Sequence, residues 1–242
     1  MILVFGGTTE GKKVAKILEA QNLAYTYTTK TKINFEGKGN YIHGAMESKD
    51  IESFCKQNKV TCIVNAAHPF AENLHTNIIV AKISIPKIRF ERSFLERTKD
   101  PLVTYVDNFK EVNLKLRENN YKSLLALSGV QTIEKLQLFW TENTTWFRIL
   151  DRDESRLVAF KANFPEENLV YGFPQEVAEE IKLFKEYNPD VILTKESGVN
   201  GKLQQKITAA LTTKKPIIII RKPLLSKSYI FVNTETELLK VI

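Results

Sequence analysis

The sequence begins with Met1-Ile-Leu-Val-Phe-Gly6-Gly7-Thr8-Thr9-Glu10-Gly11, and this stretch decides how the rest is interpreted. Residues 1–5 are continuously apolar, which is typical of a strand buried on both faces of a parallel sheet. The segment 10–22 carries apolar residues at helical spacing. A buried strand, a glycine-rich turn and a helix are therefore predicted to follow one another at the start of the chain.

The same alternation of strand and helix continues to the end of the chain. Strands are predicted at 24–29, 60–64, 86–90, 102–106, 124–127, 145–150, 191–194, 216–220 and 229–232. Helices are predicted at 48–55, 71–84, 133–139, 177–184 and 203–210, with a last one after a Thr234–Glu237 capping box. Such alternation predicts mostly parallel sheets with helices on both faces.

The alternation restarts after residues 107–121, which predicts two lobes. The predicted fold class is α/β, with two Rossmann-like doubly wound lobes at residues 1–112 and 113–242. Three stretches lack a regular pattern and are predicted as long loops, of the kind that often cover a binding site: 30–41, 91–101 and 151–168.

Composition narrows the classes of partner. The 242 residues include 35 Lys and Arg against 28 Asp and Glu, a net charge of +7 that favours anionic ligands. There is no dense basic tail or zinc-finger pattern, so nucleic acid is not an expected partner. No apolar run approaches the roughly 20 residues of a membrane span, and no signal peptide is recognised, so we expect a cytoplasmic protein. Two cysteines and three scattered histidines predict no metal site.

The glycine-rich turn is the first candidate binding site. Glycine lets the backbone approach a phosphate, and the N-terminus of the following helix offers N–H groups and partial positive charge. The spacing is not the full G-x-G-x-x-G pattern, so an ordinary strand-to-helix turn is the alternative. Lys30 and Lys32 follow the second strand and suit a 2′-phosphate, which favours NADPH over NADH, with a solvated loop as the alternative.

A second candidate is Asn65-Ala-Ala-His68-Pro69-Phe70-Ala71, which follows the strand at 60–64. Pro69 suits the first turn of a helix, where its missing N–H costs nothing. His68 would then lie at the carboxyl end of the sheet, where it could contact cofactor or substrate. A structural histidine is the alternative.

Several strands are followed by cations and by small glycine turns. The cations are Arg89, Arg92, Arg148, Lys195 and Arg221, and the turns are Ser128-Gly129 and Ser197-Gly198. Because the carboxyl ends of parallel strands form the ligand crevice of such sheets, these groups predict a substrate with several carboxylates. Salt bridges between domains are the alternative.

Taken in chain order, these motifs resemble those of the precorrin-6A reductase family of cobalamin biosynthesis, including its cobalt-precorrin-6A reductase branch. The resemblance runs from residue 1 to about residue 223. It implies a two-lobed Rossmann-like reductase that exchanges the last strands between its lobes. It also implies NAD(P)H-dependent reduction of the C18–C19 double bond of a tetrapyrrole, with transient contacts to neighbouring pathway enzymes as a further expectation.

The resemblance further implies roles for particular residues. The first lobe would hold the cofactor through Gly6, Gly7, Thr8, Thr9, Glu10, His68, Pro69, Phe70 and Ala71. The second ligand, the tetrapyrrole, would contact Arg89, Arg92, Ser128, Gly129, Arg148, Lys195, Ser197, Gly198 and Arg221. No catalytic residue is assigned. Asn65 stands where the family usually has aspartate, which removes one potential acid.

Two other functions stay open at this point. Another Rossmann-type nucleotide-dependent enzyme, such as a sugar-nucleotide transferase or epimerase, would use the same turns, although the Tyr-x-x-x-Lys pair of an epimerase is absent. A non-catalytic module that binds acidic partners through its basic face is the second. No nucleophile elbow and no G-x-x-x-x-G-K-[ST] phosphate loop is present.

Overall fold

The computed structural model describes residues 1–92, 94 and 96–242, so the predicted loop at 91–101 lies partly outside the described residues. The strands are β1 (Ile2–Phe5), β2 (Tyr25–Thr29), β3 (Asn40–His43), β4 (Cys62–Asn65), β5 (Lys87–Phe90), β6 (Val103–Val106), β7 (Ser123–Ala126), β8 (Thr144–Ile149), β9 (Leu169–Tyr171), β10 (Val191–Lys195), β11 (Ile217–Ile220) and β12 (Ile230–Val232). The helices are α1 (Thr9–Ala20), α2 (Ser48–Gln57), α3 (Glu72–Val80), α4 (Phe109–Glu118), α5 (Gln137–Trp140), α6 (Asp153–Lys161), α7 (Val177–Tyr187), α8 (Leu203–Thr212) and α9 (Glu235–Leu239).

The strands form two sheets of six, each within its own compact unit. Unit 1 comprises residues 1–93 and 223–242, and its strand order is β12-β5-β4-β1-β2-β3. Unit 2 comprises residues 94–222, with the order β6-β11-β10-β7-β8-β9. Every pairing is parallel. The predicted α/β class with two doubly wound, Rossmann-like lobes is confirmed.

One edge strand of each sheet comes from a part of the chain that otherwise builds the other unit. β6 precedes the other strands of unit 2 and pairs with β11, whereas β12, near the chain end, pairs with β5 of unit 1. The topology therefore shows the expected strand exchange. It also moves the boundaries away from the predicted 1–112 and 113–242, because residues 94–112 join unit 2 and residues 223–242 join unit 1.

The core of unit 1 follows from the alternation of side chains along β1. Leu3 packs on one face of the sheet with Ile51 of α2, and Val4 packs on the other face with Val14 of α1. All four side chains are fully buried. The continuous apolar run at 1–5 is therefore the sequence signal of a strand covered by helices on both sides.

Three predicted loop or linker regions contain regular structure. β3 begins at the end of the stretch 30–41, α4 lies in the predicted boundary 107–121, and α6 lies in the stretch 151–168. β3 is at most half-buried and lies at the sheet edge, so its sequence lacks the apolar run of a central strand. None of the helices in the described residues is long and apolar enough to cross a membrane.

Candidate functional site

Two loops of unit 1 flank the point at which its strand order reverses. β1 lies beside both β2 and β4, and the chain leaves β1 towards one side of the sheet and β4 towards the other. Ligands of doubly wound sheets bind outside the carboxyl ends of the strands at such a point. Thr8 Oγ1 donates a hydrogen bond of 2.7 Å to the carbonyl of Ala66, which joins the loop after β1 to the loop after β4. The structure thus brings together the two predicted cofactor segments, Gly6–Glu10 and His68–Ala71.

Close packing against Tyr27 of β2 explains why positions 6 and 11 of the glycine-rich turn are glycine. A Cβ at Gly6 would lie 2.1 Å from the Tyr27 ring, and one at Gly11 would lie 2.6 Å from its hydroxyl oxygen. The backbone N–H of Gly7 donates to that hydroxyl at 2.9 Å. Burial raises the pKa of Tyr27, so the hydroxyl stays protonated. Gly6 and Gly11 are therefore required by packing, a reason that the sequence does not reveal.

Gly7 and the start of α1 provide the open part of this turn. Gly7 has a φ of +85° and is exposed, as is Thr9. The Thr8 side chain caps α1 by accepting a 3.0 Å bond from the N–H of Gly11. The first N–H groups of a helix have no carbonyl partner within it, and they carry partial positive charge. This arrangement can hold a phosphate group.

Glu10 was predicted to bind the cofactor and Arg92 the tetrapyrrole, but in the structure the two side chains form an ion pair. The carboxylate of Glu10 accepts a 2.6 Å bond from Nη2 of Arg92, and both side chains are nearly buried. The ion pair connects the first turn of α1 to the segment that follows β5. Because the two charges face each other, we interpret Glu10 and Arg92 as an ion pair that stabilises the turn.

His75 of α3 organises the loop after β4, and sequence reasoning missed it. The amide of Asn65 donates to His75 Nδ1 at 2.9 Å, so Nε2 carries the proton. Nε2 lies 3.1 Å from the carbonyl oxygens of both His68 and Pro69. Tyr229 completes the network, because its hydroxyl accepts from the Asn65 amide and donates to the His75 carbonyl, each at 3.0 Å. These buried hydrogen bonds therefore fix the conformation of the loop at residues 66–71.

Arg89 lies in the same buried network and not at a surface. It is 1% exposed, and Nη1 donates to the Ala67 carbonyl at 2.9 Å and to both oxygens of Asn65. The predicted contact of Arg89 with a substrate carboxylate does not match this placement. The reason is its position on an interior strand, where the guanidinium reaches backbone carbonyls instead of solvent. His68, in contrast, is exposed, as predicted for a residue that meets a ligand.

Because of the buried network around His75, we expect unit 1 to lose stability at acidic pH. Burial, followed by the charge of Arg89, lowers the pKa of His75 from 6.5 to about 4. The folded state favours neutral His75. The contribution of neutral His75 to the free energy of unfolding is therefore complete above pH 6.5 and is lost as the pH falls towards 4. The expected loss is about 3 kcal/mol of unfolding free energy, measured by urea titration between pH 7 and pH 4. His75→Gln should show a shallower pH dependence, and equal slopes in the two proteins would contradict the assignment.

Unit 2 repeats the topology of unit 1, and its strand order reverses between β7 and β10. Gly129 follows β7 with a φ of +84°, and a Cβ there would meet nothing within 4 Å. Gly198 follows β10 with a φ of +72°. Ser128 is buried, with Oγ 2.7 Å from the Thr132 hydroxyl, and Ser197 is also buried. The two glycines thus lie where predicted, on adjacent strands, and leave the backbone accessible at Gly129.

Arg148 is not at this accessible edge. Its guanidinium forms two 2.9 Å bonds with the carboxylate of Glu180, which is fully buried on α7. Lys206 of α8 is buried beside them and donates to the Gly201 carbonyl at 2.7 Å. Burial, followed by the charge of Arg148, lowers the pKa of Lys206 to about 8. The predicted substrate contact of Arg148 is therefore replaced by a structural ion pair, because the neighbouring helices supply its counter-charge.

Arg221 is the most exposed of the four arginines predicted to bind the substrate. It follows β11, and its side chain is 33% exposed, with Nη1 donating to Asp107 at 2.8 Å. Its Nε is buried and has no hydrogen-bond partner among the described residues, so the exposed part of the guanidinium is what a ligand could reach. Lys195, at the end of β10, is half-buried. Arg221 thus retains the capacity to bind a carboxylate.

Two cavities lie in unit 2. One of about 130 Å³ is lined by Gly198 and by Arg97, whose guanidinium holds Glu196 through bonds of 2.8 and 3.0 Å. Sequence reasoning missed this pair, although Glu196 directly precedes a predicted turn. A larger cavity of about 580 Å³ lies along α6 and β9 and contains no predicted site residue. Among the described residues, no cluster of three or more His, Cys, Asp or Glu side chains is placed to hold a metal ion.

Comparisons with known proteins cover the whole chain. The family described as precorrin-6x reductase CbiJ/CobK matches residues 1–242. The cobalt-precorrin-6A reductase of Methanocaldococcus jannaschii is 26% identical over 251 residues, which covers 100% of this chain and 97% of that protein. The cobalt-precorrin-6A reductase of Priestia megaterium is 29% identical, covering 92% and 91%. The solved structure of CobK precorrin-6A reductase matches with a TM-score of 0.77 at 20% identity, over 99% of this chain and 94% of that one.

Proposed function

The chain belongs to the precorrin-6x reductase family of cobalamin biosynthesis, and we propose that it reduces the C18–C19 double bond of precorrin-6A or cobalt-precorrin-6A with NADPH. The observation that carries this proposal is the open turn at Gly7 and Thr9, at the point where the strand order of unit 1 reverses. The proposed cytoplasmic location and small-molecule substrate accord with such a biosynthetic reductase.

Unit 1 is the proposed cofactor-binding unit. The pyrophosphate would lie against the N-terminus of α1, where the exposed backbone of Gly7 and Thr9 permits close approach. His68 and Phe70 would border the nicotinamide. Hydrogen bonds from His75 to the carbonyl oxygens of His68 and Pro69 hold their loop in place. Glu10 and Arg92 would act indirectly, by supporting the first turn of α1. The bound nicotinamide supplies the hydride.

The proposed preference for NADPH rests on the residues after β2. Lys30 and Lys32 are both exposed there, and no acidic residue lies between Thr29 and Lys32 to bind a ribose diol. Lys30→Glu should lower NADPH affinity roughly tenfold and leave NADH affinity within about twofold, as measured by fluorescence titration. Equal losses for the two cofactors would show that Lys30 does not read the 2′-phosphate.

Unit 2 is the proposed tetrapyrrole-binding unit. Arg221 offers a guanidinium that is 33% exposed, and Lys195 lies at the end of the neighbouring strand. Gly129 leaves space for a ligand at the same sheet edge, and Gly198 lines the cavity of about 130 Å³. Carboxylates of the macrocycle would bind Arg221 and Lys195 through charge-assisted hydrogen bonds. Ser128 and Ser197 would shape the turns, since both are buried.

Arg221 supplies the test of the substrate side. Arg221→Ala should raise the tetrapyrrole KM by about 10- to 100-fold, the equivalent of losing roughly 1.5–3 kcal/mol of charge-assisted hydrogen bonding. NADPH affinity should stay unchanged. Lys122→Ala is the matched control, because it removes the same charge next to the amino end of β7. A similar KM for both variants would contradict the role of Arg221.

The proposed reaction is tested by adding the cofactor and then precorrin-6A to the purified protein under anaerobic conditions. Nicotinamide absorbance should fall only after the tetrapyrrole is added, and it should fall faster with NADPH than with NADH. Cofactor binding without consumption in the presence of either form of the tetrapyrrole would overturn the proposed activity.

A further inference from the structure

A buried lysine holds the turn between β10 and α8 in unit 2. Lys206, the fourth residue of α8, is only 3% exposed, and its Nζ donates to the carbonyl oxygen of Gly201 at 2.7 Å. The same turn contains Gly198, which lines the cavity of about 130 Å³. Lys206 is not one of the residues that line this cavity. Its ammonium therefore contacts the turn and not the space that a ligand could enter.

The turn is compact, so a shift at Gly201 would be transmitted to its neighbours. The N–H of Gly201 donates to the carbonyl of Gly198 at 3.2 Å, which closes the turn on itself. A Cβ at Gly201 would overlap Oγ of Ser197, so these two residues are in direct contact. The position of the Gly201 carbonyl, which Lys206 holds, thus determines where Ser197 and Gly198 lie.

The charge of Lys206 has an energetic cost that its place in the core does not offset. The charged side chains that act on the Lys206 ammonium are Arg148 of β8 and Glu180 of α7. Glu180 already accepts two bonds from Arg148, so two buried cations share one carboxylate. Burial, followed by the charge of Arg148, lowers the pKa of Lys206 to about 8, because both disfavour the ammonium form. An apolar side chain of similar length would avoid much of this cost, which points to a use for the positive charge.

We propose that Lys206 is a positioning residue that fixes the turn at Ser197 and Gly198 for the tetrapyrrole and adds positive charge next to it. Two cations against one carboxylate leave the buried cluster with a net positive charge. In the protein interior, this charge attracts a substrate carboxylate at the turn more strongly than it would in water. Lys206 acts through the Gly201 carbonyl and through its charge, and does not touch the substrate. This inference rests on the proposed binding of a tetrapyrrole by unit 2.

The first test is Lys206→Met, which removes the charge and the hydrogen bond but keeps a long side chain. The KM for precorrin-6A or its cobalt form should rise about tenfold at pH 7, whereas kcat and the Kd of NADPH should stay within about twofold. The melting temperature should stay within about 4 °C, because relief of the repulsion from Arg148 offsets the lost hydrogen bond. Lys182→Met is the matched control, since Lys182 is exposed on α7, and it should leave the KM unchanged.

The pH dependence of the tetrapyrrole KM separates this role from a purely structural one. Because Lys206 loses its proton near pH 8, the KM of the original protein and of Lys182→Met should rise roughly threefold between pH 7 and pH 9. The KM of Lys206→Met should stay constant over the same range. Gly201→Ala supplies a second variant, because its Cβ would overlap Ser197 and displace the turn. Its KM should also rise at pH 7.

The outcomes separate this inference from the proposed function. If the original protein reduces the tetrapyrrole and Lys206→Met keeps the original KM and pH dependence, the positioning role is wrong and the proposed function stands. If Lys206→Met lowers kcat and NADPH affinity as much as it raises the KM, or unfolds while Gly201→Ala keeps the original KM, Lys206 serves only the fold. If the original protein does not reduce the tetrapyrrole, the proposed function fails, and the positioning role fails with it.

Discussion

Gly7→Val is expected to lower NADPH affinity by at least about 100-fold, which corresponds to roughly 3 kcal/mol of lost charge-assisted hydrogen bonding to the pyrophosphate. A β-branched residue at a φ of +85° is strained by about 1–3 kcal/mol, so the turn would shift away from its present conformation. The valine Cβ would also lie 3.6 Å from Cγ2 of Thr29, so its methyl groups would crowd the place proposed for the phosphate. Titration of NADPH by fluorescence measures the effect.

A second variant separates loss of the site from loss of folding. Thr9→Glu places a negative charge in the first turn of α1, where a carboxylate stabilises the helix through its dipole. The protein should therefore keep its melting temperature but bind NADPH about tenfold less tightly, because the charge repels the pyrophosphate. Normal NADPH affinity in both variants would mean that the turn serves only the fold.

Glu180→Ala is expected to destabilise the protein by about 3–5 kcal/mol. The substitution leaves the buried guanidinium of Arg148 without its counter-charge, next to the buried ammonium of Lys206. The fully buried carboxylate is the group that accepts both Arg148 bonds, so two charges would then repel each other in the interior of unit 2. Urea unfolding followed by circular dichroism at pH 7 measures the loss.

Glu179 provides the matched control for this prediction. It is the neighbouring residue on α7 and is exposed, so Glu179→Ala should change the unfolding free energy by less than about 0.5 kcal/mol. Arg148→Met should cost less than Glu180→Ala, because it removes one cation and leaves Glu180 facing Lys206. Similar stability losses for the two glutamate variants would show that the buried ion pair is unimportant.

The sequence was sufficient to predict most elements and to place the candidate site motifs at the carboxyl edge of each sheet. The apolar runs identify the interior strands, and the carboxyl ends of parallel strands meet at one edge of each sheet, so motifs at strand ends come together. Residues 6–10 and 68–71 follow this logic, and so do Gly129 and Gly198. Spacing could not show which sheet receives a strand of three or four residues, so the exchange of β6 and β12 put the predicted lobe boundaries in the wrong place.

The roles of the arginines could not be predicted, because a sequence shows a charge but not its partner. Arg89 and Arg148 both occupy strands, as expected, yet the fold supplies buried oxygen atoms to each of them. Arg221 differs in its exposure, because its side chain is 33% exposed beside Asp107 whereas those of Arg89 and Arg148 are buried. His75 escaped notice for a similar reason, since its partners are backbone carbonyls and residues distant in sequence.

The proposed hydride transfer is tested most directly by following the hydride itself. The protein is supplied with NADPH carrying deuterium at the transferable position of the nicotinamide, together with precorrin-6A or its cobalt form, and the tetrapyrrole product is analysed by mass spectrometry. A product one mass unit heavier than the product made with unlabelled NADPH is expected, and Gly7→Val should form less of this product at the same cofactor concentration while each product molecule still carries the label. A tetrapyrrole that is recovered unreduced, or reduced without the label, would contradict the proposed hydride transfer.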